Sequence, residues 1–187
     1  MLTSKVNMKR ANIRFTYSDY LQLPEDKRHE ILDGELYEMA APNTRHQRVS
    51  RNLMMALIQH VQASDLGEIF VAPYDVILSE ENVVQPDQLF VRKERLGIIG
   101  ELNISGSPDL VVEILSPGTR SKDLEIKRKI YAAFGVQEYW IVDPEAGSIE
   151  VLCWTESGYR TEALAHRSGT LSSPLFPGLA LDLAEIF

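Results

Sequence analysis

The chain is short of several things, and each shortage removes a class of protein. Cysteine occurs once, at Cys153, so no internal disulfide can staple the fold, and with only four histidines there is no cluster spaced for structural zinc. A reducing, cytoplasmic setting is the simplest expectation. No apolar run approaches the ~18 to 20 residues of a membrane span, and the opening MLTSKVNMKRANIR lacks the apolar core of a signal peptide, so neither insertion nor export is expected. Basic charge is in deficit: 19 Lys and Arg against 27 Asp and Glu leave a formal charge of −8. That balance argues against a protein that coats nucleic acid by charge alone, while leaving room for a small basic site beside a metal.

What is present is ordinary for a folded chain. The 187 residues are 44% hydrophobic and 25% charged, far from the composition of disorder. This length suits one domain over residues 1–187, with 1–14 as a flexible start. A short helix is expected just after that start, in a segment that begins at Thr16 and ends at Leu23-Pro24. In EILDGELYEM, from Glu30 to Met39, Asp33-Gly34 separates two short apolar runs and signals a two-residue β-hairpin turn. From Asn43, a candidate N-cap, Val49, Leu53, Ala56, Leu57 and Val61 recur at helical spacing until Gly67. Residues 68–78 and 83–91 then read as two antiparallel strands joined by a polar turn at Ser79 to Asn82. After a long loop, DLVVEIL (Asp109 to Leu115) reads as a buried central strand. Ser121 is placed to cap a following helix whose apolar face is Ile126, Ile130, Ala133 and Phe134, ending at Gly135. Two more strands, EYWIV and SIEVLCW, follow. The pattern is one mixed α/β layer structure.

The chemistry concentrates on a carboxylate inside the apolar central strand, Glu113. An ionised group buried there without compensation would rather neutralise, so the strand implies a metal, a basic partner or an open cleft on that face; a strand-edge ion pair is the plainer alternative. Asp109 lies four residues earlier on the same face, roughly 13 Å away at about 3.3 Å per residue, too far to share one Mg²⁺. A second ligand should come from a neighbouring strand. Asp87, in VVQPDQLFV, is the candidate: adjacent strands lie ~4.8 Å apart, and in the right register Asp87 and Glu113 would hold one divalent cation, with main-chain oxygen and water completing its shell. The helix beyond supplies positive charge in RSKDLEIKRK. At 100° per residue Lys127 and Lys129 both border its apolar stripe, and periodicity does not choose between them. An exposed Asp123–Lys127 pair on a solvated helix face is the alternative.

These residues carry a resemblance. The stretch PDLVVEILSPGTRSKDLEIKRKIYAAFGVQEYWIVDP, with VVQPD and EILDGELYEMAAPNTRH before it, resembles the large bacterial Uma-two family of predicted endonucleases, itself similar to the PD-(D/E)XK, or restriction-endonuclease-like, superfamily. The resemblance runs from about Glu30 onward. It implies an α+β fold, a mixed sheet flanked by helices with an α-β-β-β-α-β core, carrying here an N-terminal hairpin. It also implies Mg²⁺-dependent (or Mn²⁺-dependent) hydrolysis of nucleic acid, DNA in the first instance. Asp87 matches the PD aspartate and Glu113 the acidic residue of the second half-motif, while Leu115 stands where the motif lysine is expected. In similar proteins that lysine has moved to the following helix, which points to Lys127, in the pattern Asp123, Lys127, Tyr131, with Lys129 behind it. Glu30 and His46 match positions where the family often has the same residues and are accessory candidates, as is Asp109. Related nucleases often act as homodimers. Two other readings remain open from sequence: a nuclease-like module that binds nucleic acid or protein without cutting, and a glycosidase-type carboxylate pair about 5 to 9.5 Å apart.

Overall fold

The computed structural model describes residues 13–24 and 26–187. Most of the expected flexible start lies outside the described residues. Arg14, at its end, is tied down by Asp33 O at 2.9 Å and Glu81 at 2.6 Å. The elements run α1 (Tyr17–Tyr20), β1 (His29–Leu32), β2 (Glu35–Glu38), α2 (Thr44–Ala63), β3 (Gly67–Val71), β4 (Asp75–Ser79), β5 (Asn82–Val84) and β6 (Gln88–Arg92). A 3₁₀ segment (Lys93–Ile98), β7 (Asn103–Ser105) and β8 (Leu110–Ile114) follow. A π-helical segment (Lys122–Lys127) then continues into α3 (Arg128–Ala133), before β9 (Glu138–Asp143), β10 (Ser148–Thr155), β11 (Gly158–His166), β12 (Thr170–Ser173), β13 (Phe176–Asp182) and α4 (Leu183–Ile186).

The six-stranded sheet has the order β11-β10-β9-β8-β6-β3, with β8 and β9 parallel and its other neighbours antiparallel. A five-stranded sheet, β2-β1-β5-β4-β7, packs beside it, and β12-β13 form a small third sheet. Within this frame α2, β3, β6, β8, the π/α3 helix and β9 make the expected α-β-β-β-α-β core.

The local signals explain most of the elements. Asp33 and Gly34 take φ of 50° and 76°, the left-handed pair that a two-residue hairpin turn requires. Asn43 Oδ1 accepts the His46 amide at 2.9 Å and caps α2. Val49, Leu53, Leu57 and Val61 are buried along one face of α2 against Leu110, Val112, Ile114, Trp140 and Val142 of the six-stranded sheet. Full burial of each such side chain stabilises by about 1.5–3 kcal/mol. The opposite face of that sheet, with Val111, Leu115, Tyr139 and Ile141, meets Ile130 and Tyr131 of the helix and the apolar side of the five-stranded sheet.

Two expectations are corrected. Residues 68–78 and 83–91 are four strands, not two, because Pro73 and Pro86 interrupt them. A proline has no N–H to give to a ladder, so pairing stops there. The ribbon bends at both prolines and passes from one sheet to the other, pinned at the corner by Ala72 N to Asp87 O at 3.1 Å. Ser121 is not a cap: it is already helical at φ −64° and makes no capping bond. The turn begins at Ser116, whose carbonyl accepts from Arg120 N at 3.0 Å.

Candidate functional site

The bend at Pro86 places Asp87 at the junction of the two sheets. The β6–β8 ladder pairs Gln88 with Val112, so continued by one residue it sets Asp87 opposite Glu113. The side chain of Asp87 is fixed there: its Oδ2 accepts Ile114 N at 2.8 Å and lies 3.1 Å from His46 Nε2, at the start of α2. Glu113 comes from the middle of β8, on the face covered by the helix, and is only 4% exposed. Its Oε1 accepts Lys127 Nζ at 2.9 Å and the Tyr131 hydroxyl at 2.7 Å.

Lys127 is buried, and it is the hub. Besides Glu113 it meets Glu30 Oε1 at 2.8 Å and Asp123 Oδ1 at 3.7 Å. The π-helical segment makes this possible. In an α-helix four residues turn about 40° past a full circle, so Asp123, Lys127 and Tyr131 would drift by about 80° around the axis. The wider π turn cancels part of that drift and keeps the three on one buried face; such segments recur at functional sites. Lys129, by contrast, is exposed. Glu30 reaches the cluster from β1, is buried and also accepts Gln85 N at 2.9 Å. Asp109 is engaged elsewhere, with Arg92 N at 2.9 Å and Arg95 at 2.8 Å. It holds the loop before β8 and is not part of the cluster. Leu115 packs in the apolar layer, so no lysine approaches Glu113 from β8 itself.

The electrostatics follow from burial and from crowding of like charges. Burial pushes the Glu113 carboxyl well above the usual carboxylate range; Lys127 pulls it down, while Asp123, Asp87 and Glu30 add to the rise. Burial likewise raises Asp123, against the pull of Lys127. For Lys127 burial favours the neutral amine, but Glu113, Glu30 and Asp123 outweigh it and hold the ammonium well above the ordinary lysine value. The three carboxylates thus favour the charged form of Lys127. At His46 burial opposes the charge, yet the hydrogen bond and charge of Asp87 prevail and raise it.

A cavity of about 210 Å³ opens onto Asp87, Glu113, Asp123, Lys127 and His46, walled by residues 116–119. Every hydrogen bond to Glu113 falls on Oε1 and every one to Asp87 on Oδ2, so among the described residues Glu113 Oε2 and Asp87 Oδ1 take none. Asp123 Oδ1 is buried without a hydrogen-bond partner. Among the described residues no three or more of His, Cys, Asp and Glu form a ready-made metal cage. The donor set thus suits a hard cation such as Mg²⁺, which takes one or two carboxylates and keeps waters and substrate phosphate as its other ligands. It does not suit a closed four-ligand zinc site.

The basic charge of α2 escaped the sequence reading, although a signal for it was present. Residues 44–63 hold three arginines and no Asp or Glu, in a chain of net charge −8. No helix among the described residues is long and apolar enough to cross a membrane.

Comparison with known proteins bears on the family and the fold. Residues 17–184 match the family described as "Uma2: Putative restriction endonuclease". Two uncharacterized proteins of Synechocystis sp. are similar: one is 28% identical over 144 residues, covering 75% of this chain and 74% of its own length, and the other 26% identical over 132 residues, covering 68% and 74%. The crystal structure of a "putative nuclease belonging to DUF820" from Anabaena variabilis superposes with a TM-score of 0.77 at 19% identity, covering 92% of this chain and 97% of that one. At that identity the likeness speaks to the fold.

Proposed function

Because the chain belongs to the Uma2 family of restriction-endonuclease-like proteins, we propose that it is a divalent-metal-dependent nuclease hydrolysing phosphodiester bonds, with Asp87 and Glu113 as the metal-holding carboxylates and Lys127 as the cation of the site. The observation that carries this reading is the meeting of those three side chains at one cavity. Asp87 and Glu113 are opposed across the β6–β8 pair, and Lys127 reaches Glu113 from the helix at 2.9 Å.

A bound Mg²⁺ would polarise the phosphate and lower the pKa of a water beside it. The chain's own groups do the rest. Asp87 is aimed by Ile114 N and His46, so one of its oxygens is held in place and the other left to take a ligand. Glu113 is aimed in the same way by Lys127 and Tyr131. Lys127, whose charged form its neighbouring carboxylates favour, orients the attacking water and offsets negative charge that develops on the phosphate, where a cation in a site of low dielectric is most effective. Glu30 and Asp123 position that ammonium. DNA is the first substrate to try.

A second reading, a nuclease-like module that binds without cutting, is favoured by one observation: Leu115 occupies the usual lysine position, and the lysine that replaces it is shared with Glu30. Labelled single- and double-stranded DNA and RNA, incubated with Mg²⁺ or Mn²⁺, separate the two. Metal-dependent cutting by the wild type that is lost in Glu113→Gln and in the folded fraction of Lys127→Ala supports the nuclease. Binding without cutting on any substrate, or cutting unchanged in the variants, puts the binding module first.

A further inference from the structure

The helix that carries Lys127 departs from α geometry over the turn that leads to it. In an α-helix the Asp123 carbonyl would accept the amide of Lys127, four residues on; over Lys122–Lys127 the chain takes the wider π register, in which a carbonyl turns to the amide five residues on. Departures from a regular α-helix have identifiable causes: a proline, a glycine or serine, or a side chain that enters the hydrogen-bond ladder. The segment itself, KDLEIK, holds no proline, glycine or serine. A side chain does enter the ladder: Tyr139, from β9, donates its hydroxyl to the Asp123 carbonyl at 3.0 Å.

The Tyr139 ring is fully buried, edge-on to Tyr131 at 5.1 Å between centroids and tilted against Tyr159 at 5.8 Å. A buried phenol hydroxyl left without a partner is costly, and among the described residues the Asp123 carbonyl is the one partner this hydroxyl has. The strand register fixes what Tyr139 can adjust. β8 and β9 pair Val111 with Tyr139 and Glu113 with Ile141, so Tyr139 points to the same face of the sheet as Glu113, one side-chain step before it. Both ends of the Asp123–Lys127 turn are therefore anchored to that face: the Asp123 carbonyl by Tyr139, and the Lys127 ammonium by Glu113 at 2.9 Å. Tyr139 itself does not line the cavity that holds the carboxylates.

We propose that Tyr139 is a positioning residue of the site: its hydroxyl holds the Asp123 carbonyl in the π register and so sets Lys127 in front of Glu113. Its effect on cutting rests on the nuclease reading, while its effect on Lys127 stands on geometry. Tyr159 provides the control. Its hydroxyl also donates to a main-chain carbonyl, Val136 O at 2.8 Å, and its ring packs on Tyr139, but Val136 lies beyond the end of α3.

Tyr139→Phe and Tyr159→Phe each remove one hydroxyl-to-carbonyl bond, and both should lower the urea midpoint by a similar amount. Only the first should loosen Lys127. The folded proteins are treated with an acetylating ester, and modification of Lys127 is read by peptide mass spectrometry against the exposed Lys129. Lys127 should be acetylated about tenfold faster in Tyr139→Phe than in Tyr159→Phe, the change in local opening that one lost hydrogen bond gives. In metal-dependent cleavage, kcat should fall by about tenfold or more in Tyr139→Phe, with KM and Mg²⁺ affinity within about threefold of wild type, because a displaced lysine costs chemistry rather than binding. Tyr159→Phe should cut as the wild type does. Equal acetylation of Lys127 in the two variants overturns the positioning role, whatever the wild type cuts. Faster acetylation in Tyr139→Phe with an unchanged kcat overturns it as a contribution to the reaction. A wild type that cuts no nucleic acid overturns the nuclease reading, and acetylation then decides by itself whether Tyr139 sets Lys127.

Discussion

Glu113 and Glu138 sit on adjacent parallel strands of one sheet, both buried, the first inside an apolar run and the second at the head of one. Their surroundings differ completely. Glu138, on the face covered by the C-terminal hairpin, is saturated by neutral donors: Trp140 Nε1 at 2.8 Å and Ser173 Oγ at 2.7 Å on Oε2, and Leu175 N at 2.8 Å on Oε1. Glu113, on the other face, takes its bonds on one oxygen only, is ringed by other carboxylates and opens to a cavity. The first glutamate fastens β12–β13 to the sheet. The second is raised by burial and by the carboxylates beside it, and its Oε2 takes no hydrogen bond among the described residues. A buried carboxylate is therefore not in itself a site; what matters is whether both of its oxygens are spoken for.

Substitutions at these two positions and their partners test the difference. The largest expected effect is on activity. Glu113→Gln should lower metal-dependent cleavage by about 10³-fold or more, about 4 kcal/mol of barrier. Its urea midpoint should correspond to a stability within about 1 kcal/mol of wild type, since neutralising Glu113 removes repulsion as well as attraction. A large loss of stability there would make Glu113 a second Glu138.

Lys127→Met leaves Glu30, Glu113 and Asp123 buried without their cation and should destabilise by about 3–5 kcal/mol in urea denaturation. Adding Glu30→Gln should restore part of that loss; a Lys127→Met protein as stable as wild type would remove the hub from the account.

Glu138→Ala should cost about 2–3 kcal/mol, by orphaning the donors of Trp140, Ser173 and Leu175, with cleavage by the folded protein kept. If cleavage were lost while the fold held, the contrast between the two glutamates would fail.

The smallest effect is one of pH. Because the folded-state pKa of Glu113 is raised, its contribution to stability is fully present below the unfolded value near 4.5 and is lost as pH rises toward the folded value. Over that range the folded state holds a proton that the unfolded state has released, so stability falls by at most about 1.4 kcal/mol per pH unit for this group. Glu113→Gln abolishes this titration. The variant should therefore gain on wild type as pH rises above about 4.5, and chemical denaturation at a series of pH values checks the sign.

The sequence made the local parts of this comparison visible and hid the rest. The Asp33-Gly34 turn, the Asn43 cap with the stripe on α2, and the buried strand around Glu113 are written in neighbouring residues and appear as expected. Pro73 and Pro86 carried a local signal that the strand reading passed over, and with it went the bend that sets Asp87 opposite Glu113. The π-helical segment leaves no mark in a pattern scanned at 100° per residue, so Lys127 and Lys129 looked alike. The choice of Lys127 came from family resemblance, and the structure places it beside Glu113. Glu30 enters the cluster from the other sheet, and Glu138 is satisfied by residues about 35 positions later in the chain. Neither fact has a local signature, which is why the motif around Glu113 drew attention and EYWIVD did not.

The most direct test of the account is Mg²⁺ titration calorimetry on the wild type, Glu113→Gln and Glu138→Gln side by side. The account predicts a binding isotherm in the wild type, its loss in Glu113→Gln while the protein stays folded, and its retention in the folded fraction of Glu138→Gln. No binding in the wild type, or equal binding in all three, would contradict it.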